Sequence, residues 1–386
     1  MIETGLAYVV SLVLIVSVIK VTEKKSGWRF FEYLPGIVIL YFSAMLLASF
    51  GLWQKNESIQ ITSNLLKSNL LPAMIFLMLL GADIRQIMKL GKRMLLSFFL
   101  ASLSIGIGFI GMFSMFHTYF ETDAWKAFAA LSGSWMGGTG NMVAIQGALG
   151  VPDSKMGYAL LIDSIDYALW VMILLALVPF AKYFNRWSKA DTSIIDEVSR
   201  KLSVNISNKK KSLLTLLILL SISLFISWIC QYGASFLPTT AFLSPSTWVV
   251  IIATILGILF AMTPLARLAG AVDIGSYLLY GLVALIASGA DIAEFSQAPF
   301  YIFSGFIVIL IHALLMILFA KLFRLDLFSI GVASLANIGG VASAPILASA
   351  YSGTLIPIGV LMAMMGYIVG TFGGLMVGKI LQVIVL

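Results

Sequence analysis

The chain has 386 residues, of which 60% are hydrophobic and only 11% charged, and its mean hydropathy is +1.03. Soluble globular proteins carry about 25% charged residues, so this composition excludes an ordinary soluble fold and predicts an integral membrane protein. The net charge of +7 does not indicate nucleic-acid binding, because the basic residues lie mostly in short loops between apolar runs. The chain has a single cysteine, Cys230, which excludes an intramolecular disulfide.

The first half of the chain contains six apolar runs. They lie at about 4–21, 34–53, 66–82, 93–118, 126–150 and 155–183. Glu3 precedes the apolar stretch 6–19 of the first run and Lys20 follows it, which reverses the charge order of a signal peptide. This run is therefore expected to be a retained helix that enters the membrane from outside.

A polar and basic stretch at 184–211 separates these runs from six more. The second set lies at about 212–236, 246–265, 273–290, 298–320, 327–350 and 355–383. A membrane-spanning helix needs about 20 apolar residues, so the pattern predicts an all-α polytopic membrane protein.

Two short motifs recur at equivalent places in the two halves. The tetrapeptide Gly-Ala-Asp-Ile closes the third run of each half, at 81–84 and at 289–292, an offset of 208. A serine followed by a glycine pair occupies 132–138 and again 334–340, an offset of 202. These collinear matches predict a duplication, with a first repeat at 1–183, a linker at 184–211 and a second repeat at 212–386.

The basic residues predict the orientation of the repeats. Of the 24 Lys and Arg residues, 19 fall in loops that can all be placed in the cytoplasm, including the linker 184–211. The N-terminus is then outside the inner (cytoplasmic) cell membrane and the two repeats are inverted. Inverted halves joined by a cytoplasmic linker each need an odd number of crossings. We therefore expect five spanning helices per repeat plus one Gly-rich segment, 126–150 or 327–350, which is either a re-entrant hairpin or a crossing helix broken at its glycine pair.

These two Gly-rich segments are the predicted substrate site. Unwound backbone is tolerated inside a membrane only where protein or a water-filled cavity satisfies it, and glycine permits such backbone. The ends of the half-helices could then hold a small ion or solute. The alternative is that the small residues only allow close helix packing. The predicted substrate-binding residues are Ser132, Ser134, Gly137, Gly138, Thr139, Gly140, Asn141, Asn337, Gly339, Gly340 and Ser343.

Two acids lie inside the last apolar run of the first half, which contains no basic residue near them. Asp163 is about 12 Å from the entry of this run near Lys155, and a spacing of three places Asp166 on the same helix face. A charged side chain at the bilayer centre costs about 3 kcal/mol on insertion scales, so such acids are expected to have a function. We predict that Asp163, Ser164 and Asp166 hold a coupling ion, with the two acids as ligands if that ion is Na⁺. Alternatively, the helix turns both acids towards a polar interface.

Several other residues are predicted to be structural. His312 is expected to be a packing histidine with its hydrogen bonds satisfied, and Trp135 and Trp170 are expected to pack in the interior. Asp83 and Asp291 are expected to end helices next to water. No cofactor is predicted other than a coupling Na⁺.

The whole chain resembles the YjcL-like family of uncharacterised bacterial membrane proteins. Its segment Gly137-Gly138-Thr139-Gly140-Asn141 is similar to the Gly-rich motifs of a superfamily that contains sodium/proton antiporters, bile-acid sodium symporters and glutamate and citrate symporters. The resemblance implies a core, 93–183 with 298–386, that moves as an elevator against a scaffold, 4–82 with 212–290. It also implies a homodimer.

The leading hypothesis is a secondary active transporter for the Na⁺- or H⁺-coupled symport of a small organic anion or zwitterion. The alternatives are a cation/proton antiporter and, in another class, a non-transporting membrane receptor or scaffold. The sequence contains no GxGD, HExxH, GxSxG or P-loop motif, so we do not expect an enzyme.

Overall fold

The computed structural model describes residues 1–25, 35–54, 56–82, 84–192, 212–240, 242–290 and 298–385. These residues form sixteen α-helices and no β-strand beyond one isolated bridge between Ile2 and Trp53. The first nine helices are α1 (Gly5–Lys25), α2 (Gly36–Ser49), α3 (Glu57–Leu80), α4 (Ile84–Ile87), α5 (Gly91–Phe116), α6 (Ala124–Gly137), α7 (Thr139–Leu149), α8 (Asp153–Leu177) and α9 (Ala181–Ser188). The remaining seven are α10 (Leu213–Ala234), α11 (Pro245–Ala261), α12 (Ala271–Ala287), α13 (Ala298–Phe323), α14 (Leu327–Ile338), α15 (Gly340–Tyr351) and α16 (Ile356–Val385).

The prediction of an all-α polytopic membrane protein is confirmed. In the described part of the chain, seven helical segments are long and apolar enough to cross a membrane, and they contain α1, α3, α5, α8, α10, α13 and α16. Helices α2, α11 and α12 are also apolar but shorter, at 14, 17 and 17 residues. Part of the predicted linker, 193–211, and both Asp83 and Asp291 lie outside the described residues.

Each Gly-rich segment is a hairpin of two short helices. Gly138 separates α6 from α7 with a φ of 89°, which glycine adopts without strain. A Cβ added at Gly133 would collide with the side chain of Ile145, although twelve residues of continuous helix would separate them by about 18 Å. Likewise, a Cβ at Gly331 in α14 would lie 3.3 Å from the Leu347 side chain in α15. Both segments therefore fold back on themselves, which decides between the two forms left open by the sequence.

A row of glycines on α16 brings its backbone against the first hairpin. Gly366, Gly370 and Gly374 recur every four residues and so share one helix face. A Cβ at Gly370 would lie 2.8 Å from the Cα of Gly137, and one at Gly374 would lie 2.8 Å from the Cα of Gly133. In a membrane, lipid tails are as apolar as the side chains, so the hydrophobic effect does not drive helices together. Close backbone approach of this kind stabilises their association through van der Waals contacts instead.

Helices of the two halves interleave. Helix α3 packs against α10, α11 and α12, while α5 crosses α13 where a Cβ at Gly108 would lie 2.9 Å from the Val308 carbonyl oxygen. Following the predicted orientation, we call the end of the bundle with Pro35 and Arg267 the inner end and the end with Lys67 and Asp153 the outer end. We use "scaffold" for α1–α3 and α10–α12, and "core" for α5–α8 and α13–α16.

Replacing Gly370 by Ala should destabilise the protein, because the added methyl group meets Asn141 and the Gly137 backbone at 2.8 Å. Such overpacking costs about 1–3 kcal/mol. Gly281→Ala is the matched control, since nothing lies within 4 Å of its added Cβ. Thermal unfolding of the purified protein in detergent measures both. Equal melting temperatures for the two variants would contradict the packing of α6 on α16.

Candidate functional site

A cavity of about 350 Å³ lies between the tips of the two hairpins. The core lines it with Gly138, Thr139 and Gly140 from one tip and with Gly339 and Gly340 from the other. Scaffold helices α2, α3 and α12 form the opposite wall through residues that include Val38, Met78 and Ser276. The unwound backbone at both tips therefore faces a cavity rather than lipid, as the membrane requires.

Asp163 of α8 reaches this cavity and is held from the end of α6. Its Oδ1 accepts hydrogen bonds from Ser134 Oγ at 3.2 Å and from Trp135 Nε1 at 3.0 Å. Both donors use the same carboxylate oxygen, which leaves Oδ2 without a partner among the described residues. A carboxylate oxygen next to a cavity can take a cation or a proton.

Asp166 lies elsewhere. Its side chain has no exposed surface, does not line the cavity and points at α13, where a Cβ on Gly305 would collide with its Oδ2. Neither of its carboxyl oxygens has a hydrogen-bond partner among the described residues. The spacing of three thus places the two acids on neighbouring parts of α8 that face different surroundings, and the cavity between the hairpin tips is lined by Asp163 and not by Asp166.

Half of the predicted site residues line the cavity. Those that do are Ser134, Gly138, Thr139, Gly140, Asp163, Gly339 and Gly340. The others lie within the helix packing around the cavity, and they are Ser132, Gly137, Asn141, Ser164, Asp166, Asn337 and Ser343.

The two asparagines pair with neighbouring helices instead of facing the cavity. Asn141 donates to the Gly137 carbonyl at 2.7 Å and accepts from Thr371 of α16 at 2.6 Å. Asn337 donates to the Ala333 carbonyl at 2.9 Å and accepts from Ser102 of α5 at 2.7 Å. Each asparagine therefore ties a hairpin arm to a long core helix just behind the tip.

The serines set behind the tips make similar local bonds. Ser132 donates to the Ala129 carbonyl at 2.8 Å, and Ser164 donates to the Leu160 carbonyl at 2.6 Å. These bonds close within their own helices, so neither hydroxyl points towards a solute in the cavity.

Two tyrosines of the cavity wall were not predicted from the sequence. Tyr167 and Tyr367 line the cavity from α8 and α16. Tyr167 could have been found, because it stands four residues after Asp163 and so shares its helix face. Tyr367 carries no such signal.

A chain of hydrogen bonds crosses the interior of the core at His312. Trp170 Nε1 donates to Ser334 Oγ at 2.8 Å, and Ser334 Oγ lies 2.7 Å from His312 Nε2. His312 Nδ1 lies 2.7 Å from Ser104 Oγ, which donates its own hydrogen to the Ala101 carbonyl at 2.8 Å.

The contacts around His312 give every hydrogen of this chain an acceptor in one arrangement. Ser104 donates to the Ala101 carbonyl and accepts from Nδ1–H of His312, while Nε2 accepts from Ser334. His312 is a neutral histidine with both nitrogens bonded, as expected for a satisfied packing residue. Trp135 and Trp170 are buried as predicted, and each also makes a specific hydrogen bond through its indole N–H.

Metal ligation by several acidic, histidine or cysteine side chains is not supported in the described part of the chain, where three or more such residues never cluster. A cation in the cavity would therefore be held by oxygens of Asp163, Ser134 and the tip backbone. Hard cations such as Na⁺ prefer oxygen ligands of this kind.

The amino-acid sequence matches a known family and a known protein over most of its length. A family model described as "Protein of unknown function (DUF819)" matches residues 10–384. The uncharacterized membrane protein YjcL of Bacillus subtilis (strain 168) is 24% identical over 371 residues, which cover 92% of each chain.

Replacing Ser334 by Ala should destabilise the core, because it leaves the Trp170 N–H and the His312 Nε2 buried without partners. Each unsatisfied group costs about 1–3 kcal/mol. Ser132→Ala is the matched control at the aligned position, since it removes one bond within a helix. Thermal unfolding of both variants tests this, and a smaller loss for Ser334→Ala than for Ser132→Ala would contradict the chain of donors.

Proposed function

The chain belongs to the DUF819 family, and we propose that it is a secondary active transporter that couples the movement of a small organic anion or zwitterion to Na⁺ or H⁺. The observation that carries the proposal is the cavity between two hairpin tips, with a free carboxylate oxygen of Asp163 beside them. Broken helices that meet near the centre of a membrane are typical of transporter substrate sites.

The helix N-termini at the cavity support an anionic group on the solute. Thr139 begins α7 and Gly340 begins α15, and both residues line the cavity, so the N-terminal ends of two helices meet there. Helix N-termini carry a partial positive charge and unpaired N–H groups, which favour carboxylates and phosphates. A volume of about 350 Å³ suits a small solute.

Asp163 is the proposed ion-binding residue. Its position beside the helix N-termini would let a bound cation and a bound anion stabilise each other, which is a direct route to symport. We further propose that Asp166 takes part in coupling by holding a proton in its apolar surroundings. A buried acid that holds a proton also favours the second candidate function, a cation/proton antiporter, because such a protein must bind and release protons.

The arrangement of helices supports two inverted repeats. Ser104 and His312 are hydrogen-bonded to each other and are separated by 208 positions, the offset of the Gly-Ala-Asp-Ile motifs. Equivalent residues meet in this way where a helix crosses its symmetry mate. On this proposal ten helices span the inner membrane, the N-terminus is outside and the linker is cytoplasmic.

Transport would occur by an elevator motion of the core, 93–183 with 298–386, against the scaffold, 4–82 with 212–290, in a homodimer. The cavity lies between these two groups of helices, so their relative motion would carry a solute at the hairpin tips. The resemblance to sodium/proton antiporters and anion symporters also supports this mechanism. A receptor or assembly scaffold would leave the cavity and its acid without a use.

Thermal stability across a panel of small anions and amino acids, with and without Na⁺, tests the proposal. Stabilisation by one solute only when Na⁺ is present would support sodium symport. Stabilisation by cations alone, dependent on pH and indifferent to every solute, would support the antiporter. No stabilisation and no uptake into proteoliposomes under any of these conditions would favour the receptor.

Replacing Asp163 by Ala should abolish ion-coupled uptake into proteoliposomes while leaving the protein folded. Asp163→Asn should do the same, because a neutral amide has no negative charge to balance a bound cation and cannot release a proton. Asp123→Asn is the control, since that acid pairs with Lys126 at the surface. Normal coupled uptake by the Asp163→Ala variant would show that Asp163 is not the ion-binding residue.

A further inference from the structure

Scaffold and core are joined at the outer end by an ion pair. Lys67 Nζ of α3 lies 2.6 Å from Asp153 Oδ2 at the start of α8, and the two side chains are 27% and 26% exposed. Lys67 belongs to the scaffold and Asp153 to the core. The pair therefore spans the boundary along which the two groups of helices would move.

Other contacts converge on the same aspartate. Gln146 of α7 donates to Asp153 Oδ1 at 3.1 Å, and the Tyr41 hydroxyl of α2 donates to the Asp153 carbonyl at 2.8 Å. Gly289, just beyond α12, packs so closely that an added Cβ would lie 2.6 Å from Asp153 Oδ2. Three scaffold segments thus meet one core residue at this point.

The first hairpin is tied to the scaffold at the same end. The Ala148 carbonyl near the end of α7 accepts hydrogen bonds from Ser244 at 3.1 Å and from Thr247 of α11 at 2.8 Å. These two hydrogen bonds add to the ion pair in joining core and scaffold at the outer end.

A second cavity lies on the outer side of this contact. It has a volume of about 470 Å³ and is lined by Tyr8, Asn56, Lys67, Asp153 and Ser288, among others. Helices α8 and α12 line both cavities, with Asp153 and Leu285 at the outer one and Asp163 and Ser276 at the inner one. The Lys67–Asp153 contact thus lies between the outer cavity and the hairpin tips.

We propose that the Lys67–Asp153 pair is the outer gate of the transport pathway, and that the outer cavity is the vestibule leading to it. This inference rests on the proposed function. The gate is closed in this structure and opens when the core moves away from Lys67. An ion pair that remains partly exposed contributes little stability, so a modest change in contacts can open it.

Thiol labelling tests the gate without knowledge of the solute. The reporter is Thr139→Cys at the hairpin tip, in a Cys230→Ser background that removes the single native cysteine. A membrane-impermeant maleimide is applied separately to the outer and the inner face in right-side-out and inside-out vesicles. Lys67→Ala should raise the outer labelling rate about fivefold and lower the inner rate, whereas Lys67→Arg should stay near the parent.

Two further variants separate the gate from general damage. Gly289→Ala should also raise outer labelling, because its methyl group displaces the Asp153 carboxylate from a different side. Lys155→Ala is the matched control, since Lys155 pairs with Glu121 at the same end but both residues belong to the core. Its labelling should equal that of the parent.

The possible outcomes distinguish the gate from the function. If the parent reporter is labelled from both faces, and Lys67→Ala and Gly289→Ala leave the outer labelling rate unchanged, the proposed gate is wrong. The proposed transport function is not affected by that result. If no variant is ever labelled from outside, alternating access itself is wrong, and the gate falls with it. An increase for Lys155→Ala equal to that for Lys67→Ala would also overturn the gate.

Discussion

Unpaired backbone groups cannot face hydrocarbon, and the arrangement of the core follows from this constraint. Each hairpin tip interrupts helical hydrogen bonding near Gly138 or Gly339, so the tips must be enclosed by protein or by a polar cavity. The structure encloses both tips together, from opposite halves of the chain. The cavity is therefore a consequence of breaking two helices at the same place.

The helices around the tips are adapted to hold them there. Glycines of α16 let its backbone touch α6, and the paired asparagines fasten the hairpin arms behind the tips. The donor chain through His312 joins α5, α8, α13 and α14 with every hydrogen directed to an acceptor. Such a network holds four helices in one relative position, because a shift of any member leaves a buried group unpaired.

Much of the fold could be predicted from the sequence. All twelve apolar runs correspond to helices or hairpins, since hydrophobic length is a strong signal in membrane proteins. The breaks at the two glycine pairs were also located correctly. The sequence left their geometry open between a hairpin and a broken crossing helix, because the two forms differ only in two or three dihedral angles at glycine.

Half of the residues predicted for the candidate site line the cavity. Asp163 and the tip glycines line the cavity, but Asn141 and Asn337 turn to helix partners that no local pattern reveals. Asp163 and Asp166 were expected to act together. A spacing of three leaves them about 60° apart around the helix axis, which is enough to give one acid a cavity and the other an apolar helix face.

The hydrogen bond from Trp135 to Asp163 also couples the fluorescence of this tryptophan to the charge on Asp163. Indole emission responds to the electric field and to the bonding of its N–H, and here the acceptor is the carboxylate beside the cavity. Binding of a cation or proton at Asp163 would change the charge about 3 Å from the chromophore. The intrinsic fluorescence of this one tryptophan, isolated by replacing the other indoles, could follow occupancy of the cavity in real time without a label or a known solute.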